Sequence, residues 1–168
     1  TIKAVKMGTT VATNALLDRK GDRTRLCITQ GRRDLLRIGY QNRPRLFDLN
    51  IALPELLYDS AVEVSERLDA QGVVIQPLDE TRLRSDLQAA HDSGIRAVAI
   101  ALMHGYRFPA HEIRAGEIAR EIGFTQISLS HAVSPLIMLV ARGDTTVVDA
   151  YLSPILRRYV EQDRREVG

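Results

Sequence analysis

Lys6-Met7-Gly8-Thr9-Thr10-Val11-Ala12-Thr13-Asn14-Ala15-Leu16-Leu17-Asp18-Arg19-Lys20-Gly21 is the stretch from which the fold is read. The run Ile2 to Met7 alternates apolar residues and predicts a strand, which turns on Gly8 into a helix opening with Thr9 and Thr10. Ala12, Ala15, Leu16 and Arg19 recur at helical spacing and form one face. Arg19 and Lys20 sit where cations favour the negative helix end, and Gly21 suits the position just past it. A strand, a glycine and a threonine-rich helix start bring N–H groups and hydroxyls to one point. Such a point suits an anion or a polar substrate. The same residues also fit a plain helix cap, and both readings stand at this stage.

Working outward, Thr24 to Thr29 predicts a buried strand, and Asp34 to Ile38 a short helix ended by Gly39. Tyr40 to Leu57 shows no period; its Gln41, Asn42 and Arg43 suit recognition of a carboxylate or amide, or else belong to a surface loop. Val62 and Val64 alternate with Glu63 and Ser65, which predicts an antiparallel strand. With the turn Asp69-Ala70-Gln71-Gly72 and the return strand Val73-Val74-Ile75, it reads as an inserted hairpin. Asp79 is a candidate cap for a helix with Leu83, Leu87 and Ala90 inward, ended by Gly94. Ala97 to Leu102 predicts a central parallel strand, and Pro109 the first turn of a helix buried along Ala115, Ile118, Ala119 and Ile122. A strand over Thr125 to Leu129 and a helix over about Thr145 to Gln162, kinked or broken near Ser153 by Pro154, complete the chain. The class is therefore α/β, a largely parallel sheet with flanking helices. Gly8-Thr9-Thr10, Thr29-Gln30-Gly31, His104-Gly105 and Ser130-His131 each follow a strand and should line one edge of that sheet.

Composition narrows the function. Of 168 residues, 45% are hydrophobic and 26% charged, ordinary for a globular domain. Twenty-three basic against twenty-one acidic residues give +2, without the concentrated positive face that nucleic acid requires. The single cysteine, Cys27, rules out an internal disulfide or a cysteine-based zinc site, and it lies in an apolar run as an inert thiol. No apolar run is long enough to cross a bilayer. The four histidines have no metal-ligand spacing, so metal ligands are expected to be none. His111 reads as solvated, and His104 and His131 as packed or catalytic; the scattered carboxylates nominate no acid/base pair.

Gly8 to Leu17 followed by Arg19-Lys20-Gly21 resembles the signature of the hydantoinase/5-oxoprolinase family. The register continues through Thr29 to Asp34, Gly39 to Arg43, Leu46 to Leu49, Glu66 to Asp69, Leu102 to Tyr106, Ser128 to Ser130 and Thr145 to Leu152. Met7 and Val140-Ala141-Arg142-Gly143 resemble the 5-oxoprolinase branch. The resemblance implies part of an actin-like ATPase (ribonuclease-H-like) domain in a cytoplasmic enzyme. That enzyme would open 5-oxo-L-proline to L-glutamate with ATP, Mg2+ and possibly K+. Thr9, Thr10 and Arg142 are the expected catalytic residues, with Gly8, Asn14 and Arg43 binding substrate. An ATP-dependent hydantoinase, a ketone carboxylase subunit, or a non-catalytic assembly domain are the alternatives. Expected partners are a small-molecule lactam, the rest of the parent polypeptide or a hydantoinase B-type protein, and further copies in a homo-oligomer, with no nucleic acid and no membrane. On this resemblance residues 1–168 form an incomplete N-terminal domain without its opening phosphate-loop hairpin and C-terminal domain, so the isolated chain is expected to be inactive.

Overall fold

The computed structural model describes residues 10–39 and 55–167. The expected strand Ile2 to Met7 and most of the Tyr40 to Leu57 loop, Arg43 included, lie outside these residues. Four strands form one sheet in the order β2-β1-β5-β6. They are β1 (Thr24–Thr29), β2 (Ser60–Val64), β5 (Ala97–Ala101) and β6 (Gln126–Leu129), and every neighbouring pair is parallel. The carboxyl ends of all four strands therefore share one edge.

Alternation along the strands separates two cores. Cys27, Val62, Val64, Val98 and Ile100 face helices α3 (Glu80–Asp92) and α4 (Ala110–Ile122), against Leu83, Leu87, Ala115 and Ile118. Leu26, Ile28, Ala99 and Ala101 face the other way, toward Leu139, Val147 and Ala150 of the long helix α6 (Leu139–Val167). In β5 the bulky Val98 and Ile100 point to one face and three alanines to the other. The alanine face lets the α6 backbone lie close over the middle of the sheet.

Local signals explain most element ends. The Asp79 side chain accepts from Arg82 N–H and caps α3, while Gly123, at φ 114°, ends α4 in the left-handed conformation. Pro109 stands one residue ahead of α4, as its cap. The first helix, α1 (Val11–Leu17), forms as read, with Ala15 buried against Tyr151 and Leu152 of α6. Gly21, however, does not terminate it. The left-handed position belongs to Arg19, at φ 55°. Gly21 lies so close to the Tyr151 ring that any Cβ there would overlap it, so a close approach explains this glycine.

Three further expectations are corrected. Strand β2 pairs parallel with β1, not antiparallel, because an edge strand in a parallel sheet is half exposed and shows the same alternation. The antiparallel hairpin lies just beyond it, between β3 (Arg67–Leu68) and β4 (Val74–Gln76). Its turn follows the reading, with Asp69 Oδ1 accepting from Gln71 and Val73 N–H and Gly72 at φ 87°. Helix α6 begins at Leu139, well before Thr145. Gly143 therefore sits inside its first turns, where a Cβ would come 2.8 Å from Leu36 Cδ2 of α2 (Leu35–Ile38). The helix also continues unbroken through Pro154. Proline removes a helical N–H and crowds the preceding turn, and there the Tyr151 carbonyl accepts a bond of 3.1 Å from Asp22 N–H.

Burial pushes the Cys27 thiol up from 9.0 to about 12, the main cause being loss of hydration. The proton that the native state holds so tightly is lost from the unfolded chain above its ordinary value. The resulting stability is complete below pH 9 and falls as pH rises toward 12. Cys27→Ala should lose this dependence, so denaturant midpoints of the two chains should converge above pH 9.

Candidate functional site

The carboxyl edge of the sheet holds two buried glutamates, each bonded to a histidine. Thr29, the last residue of β1, accepts from Met103 N–H at 2.9 Å and donates its hydroxyl to Glu66 Oε1 at 2.5 Å. The other oxygen, Glu66 Oε2, lies 2.8 Å from His111 Nδ1. Beside this turn, Gly31 N–H donates to Glu63 Oε1 at 2.8 Å and Gln30 N–H to the Val64 carbonyl. The loop after β1 is thereby held to the end of β2.

The second assembly centres on Glu112, in the first turn of α4. Its Oε1 accepts from Leu102 N–H at 2.8 Å, from the Ser130 hydroxyl and from Arg142 Nη1 at 3.4 Å. Its Oε2 accepts from His131 N–H at 3.1 Å and lies 2.7 Å from His131 Nδ1. Arg142 also donates to Ser130 Oγ at 2.8 Å and, through Nη2, to the carbonyls of Leu102 and Met103. Its guanidinium sits 5.6 Å from the centre of the Tyr106 ring. Glu112 and Arg142 are both fully buried. Burial pulls the Arg142 guanidinium below its ordinary range, opposed by the neighbouring Glu112. Gly105 is part of this construction, since a Cβ there would overlap the Glu112 carboxylate.

The edge thus brings together Thr29, His104-Gly105 and Ser130-His131, the loops that the strand pattern puts there. The expected site residues fare differently. Thr10 stands at the start of α1, exposed, and its hydroxyl makes no capping bond; Asn14 is exposed one turn on. Gly8, Thr9 and Arg43 lie outside the described residues. Arg142, expected before the last helix as a catalytic residue, is enclosed within the first turn of α6 with Nη1 and Nη2 committed to protein acceptors. His111, read as solvated, has a side chain only 15% exposed and is bound to Glu66.

Reasoning from sequence missed Glu66 and Glu112, although each left a signal. Glu112, Ala115, Gly116 and Ala119 fall at i, i+3, i+4 and i+7, so an acid occupies the buried stripe of a helix. Glu66 continues the inward series Val62, Val64. An acid on an apolar face needs buried donors, and the loops after the strands supply them.

Residues 1–123 match the family described as the hydantoinase/oxoprolinase N-terminal region. The chain belongs to this family. Among its relatives, 5-oxoprolinase 1 of Arabidopsis thaliana is 43% identical over 178 residues, covering 95% of this chain and 14% of the plant protein. The 5-oxoprolinase of Dictyostelium discoideum is 42% identical over 185 residues, with 95% and 15% covered. The chain thus spans about one seventh of the length of these curated relatives. The crystal structure of an ATP-dependent caprolactamase from Pseudomonas jessenii superposes with a TM-score of 0.83 at 32% identity, covering 94% of this chain and 23% of that one. Family membership and the parallel α/β architecture therefore agree.

Two substitutions test the Glu112 assembly. Arg142→Lys keeps the charge but cannot reach all of these acceptors with one ammonium. It should cost about 2 kcal/mol, or about 5 °C of thermal midpoint in a domain of this size. Gly105→Ala forces Glu112 to move and should cost about 1–3 kcal/mol in denaturant titrations.

Proposed function

We propose that this chain is the N-terminal domain, over residues 1–168, of an ATP-dependent 5-oxoprolinase that opens 5-oxo-L-proline to L-glutamate. The observation that carries the reading is 43% identity to a 5-oxoprolinase across 95% of the chain. The superposition on an ATP-dependent caprolactamase supports a cyclic amide as the class of substrate. The chemistry explains why ATP is needed. A five-membered lactam is an unactivated amide, and transfer of the γ-phosphoryl group to its carbonyl oxygen makes the carbon electrophilic toward water. Positioned donors facing the developing charge then lower the barrier.

In this reading Thr9 and Thr10 contribute hydroxyls, Gly8 a backbone donor, and Asn14 and Arg43 polar contacts to substrate. Arg142 acts from the interior by holding Glu112 and the Ser130 hydroxyl at the sheet edge. Among the described residues no group of three or more His, Cys, Asp or Glu side chains could hold a metal ion. ATP and Mg2+, with K+ as an optional further ion, belong in this reading to the full-length parent. No helix among the described residues is long and apolar enough to cross a membrane, and we assign the parent enzyme to the cytoplasm.

Purified full-length parent, supplied with ATP, should form glutamate from 5-oxoproline faster than it opens hydantoin or caprolactam. Preference for either of those amides would replace 5-oxoproline as the substrate. Thr10→Val in the same enzyme should lower turnover more than about tenfold, a barrier change of about 1.4 kcal/mol. Because the Thr10 hydroxyl makes no capping bond, the melting temperature should hardly move. Normal turnover of Thr10→Val would remove that residue from the site.

A further inference from the structure

Glu112 and Glu66 each hold a histidine by Nδ1, yet their electrostatic settings differ. Glu112 already faces the Arg142 guanidinium, whereas the ion pair recorded for Glu66 among the described residues is with His111 alone. His131 is therefore not needed to balance the charge of its carboxylate. Its ring is also fixed more completely, because its own N–H and its Nδ1 both bind the same oxygen, Glu112 Oε2. A carboxylate oxygen is an acceptor, so the proton of the neutral ring lies on Nδ1 and the lone pair on Nε2. That Nε2 has no hydrogen-bond partner among the described residues, and the side chain is 20% exposed. A carboxylate that orients an imidazole by one nitrogen and leaves the other free makes the second nitrogen a proton acceptor. His131 follows β6, at the edge where ligands of parallel α/β sheets bind.

We propose that His131 is the general base that activates water in the hydrolytic step, with Glu112 as its positioning residue. The assignment rests on the cyclic-amide hydrolase reading above. After the γ-phosphoryl group of ATP has moved to the lactam oxygen and ADP has formed, water adds to the lactam carbon. The new C–O bond forms as one water proton passes to His131 Nε2, leaving a tetrahedral carbon that bears hydroxyl, phosphate and ring nitrogen. The C–N bond then breaks. Nitrogen takes the proton back from His131 and a second from the hydroxyl, and leaves as an ammonium group. The remaining acyl phosphate is hydrolysed by another water to glutamate and phosphate.

The test uses the full-length parent. His131→Ala should lower glutamate formation by about 100-fold or more, the range of general-base contributions. Added imidazole should restore part of it. Because the phosphoryl transfer precedes the step that His131 serves, the variant should still release a burst of ADP stoichiometric with enzyme. Diethyl pyrocarbonate, which acylates a free imidazole nitrogen, should modify His131 in the native wild type, and ATP with 5-oxoproline should protect it. Normal glutamate formation by His131→Ala overturns the assignment. So does loss of the ADP burst together with a lowered melting temperature, or a native His131 that resists the reagent while the unfolded chain reacts. His131→Gln, close in size, repeats the comparison if the alanine variant does not fold. A wild type that opens neither 5-oxoproline, hydantoin nor caprolactam overturns the hydrolase reading, and the base with it, whatever the labelling shows.

Discussion

The carboxylate of Glu112 ties together parts of the chain that the sheet alone would leave independent. It accepts from the end of β5 through Leu102, from the residues after β6 through Ser130 and His131, and from the start of α6 through Arg142. A buried ion pair of this kind is weak as a source of net stability, because desolvation offsets much of the attraction. Its cost when incomplete is what matters. If α6 started one residue out of place, Arg142 would lose the Leu102 and Met103 carbonyls, and Glu112 would be buried without its cation. The network therefore specifies the position of α6 more than it strengthens the fold. The same constraint reaches back to Gly105, which has to lack a side chain where the carboxylate passes.

Position of α6 matters because so much is built against it. The alanines of β5 bring the helix close to the sheet, and its far side receives α1 through Ala15, Tyr151 and Leu152. Gly21 passes over the Tyr151 ring, and Asp22 then bonds the Tyr151 carbonyl with its N–H and Arg158 with its carboxylate. Those contacts lie beside Pro154, where the helix lacks an N–H of its own. Thr10 at the start of α1 is thus carried by a helix whose own placement depends on α6.

Much of this was legible from periodicity. The buried runs in β1 and β5, the Asp79 cap and the inner faces of α3 and α4 depend on residues a few positions apart, and such patterns survive in a linear sequence. What failed depended on partners distant in the chain. Val62 and Val64 announce that one side of β2 is buried, but they do not say whether its neighbour runs parallel. Gly143 looks like a helix boundary until Leu36, more than a hundred residues earlier, is seen to fill the space beside it. Gly21 looks like a helix end until the Tyr151 ring is seen above it. At the candidate site, the loops were legible and the carboxylates were not. An acid on an apolar stripe marks a buried network, yet the identity of its donors comes only from the fold.

The two glutamate–histidine pairs tie this edge from within. Loops after parallel strands are ordinarily the mobile part of an α/β domain, since their backbone groups face water. Here three of them end on carboxylates, of which Glu66 and Glu112 are buried and Glu63 is half-buried. The loop after β1 is held by Glu63 and Glu66, and those after β5 and β6 by Glu112. Glu63 stands on β2 and Glu112 on α4, while Glu66 is buried in the short link between β2 and β3. Chemistry on an unactivated amide needs donors and acceptors whose positions do not relax when charge develops, because relaxation would consume the stabilisation they provide. A charge such as that of Glu112, placed on a helix behind the loops and out of water, meets that requirement better than one placed on a solvated loop. The buried ion pair is then intelligible as a cost in folding that holds the sheet edge in one arrangement.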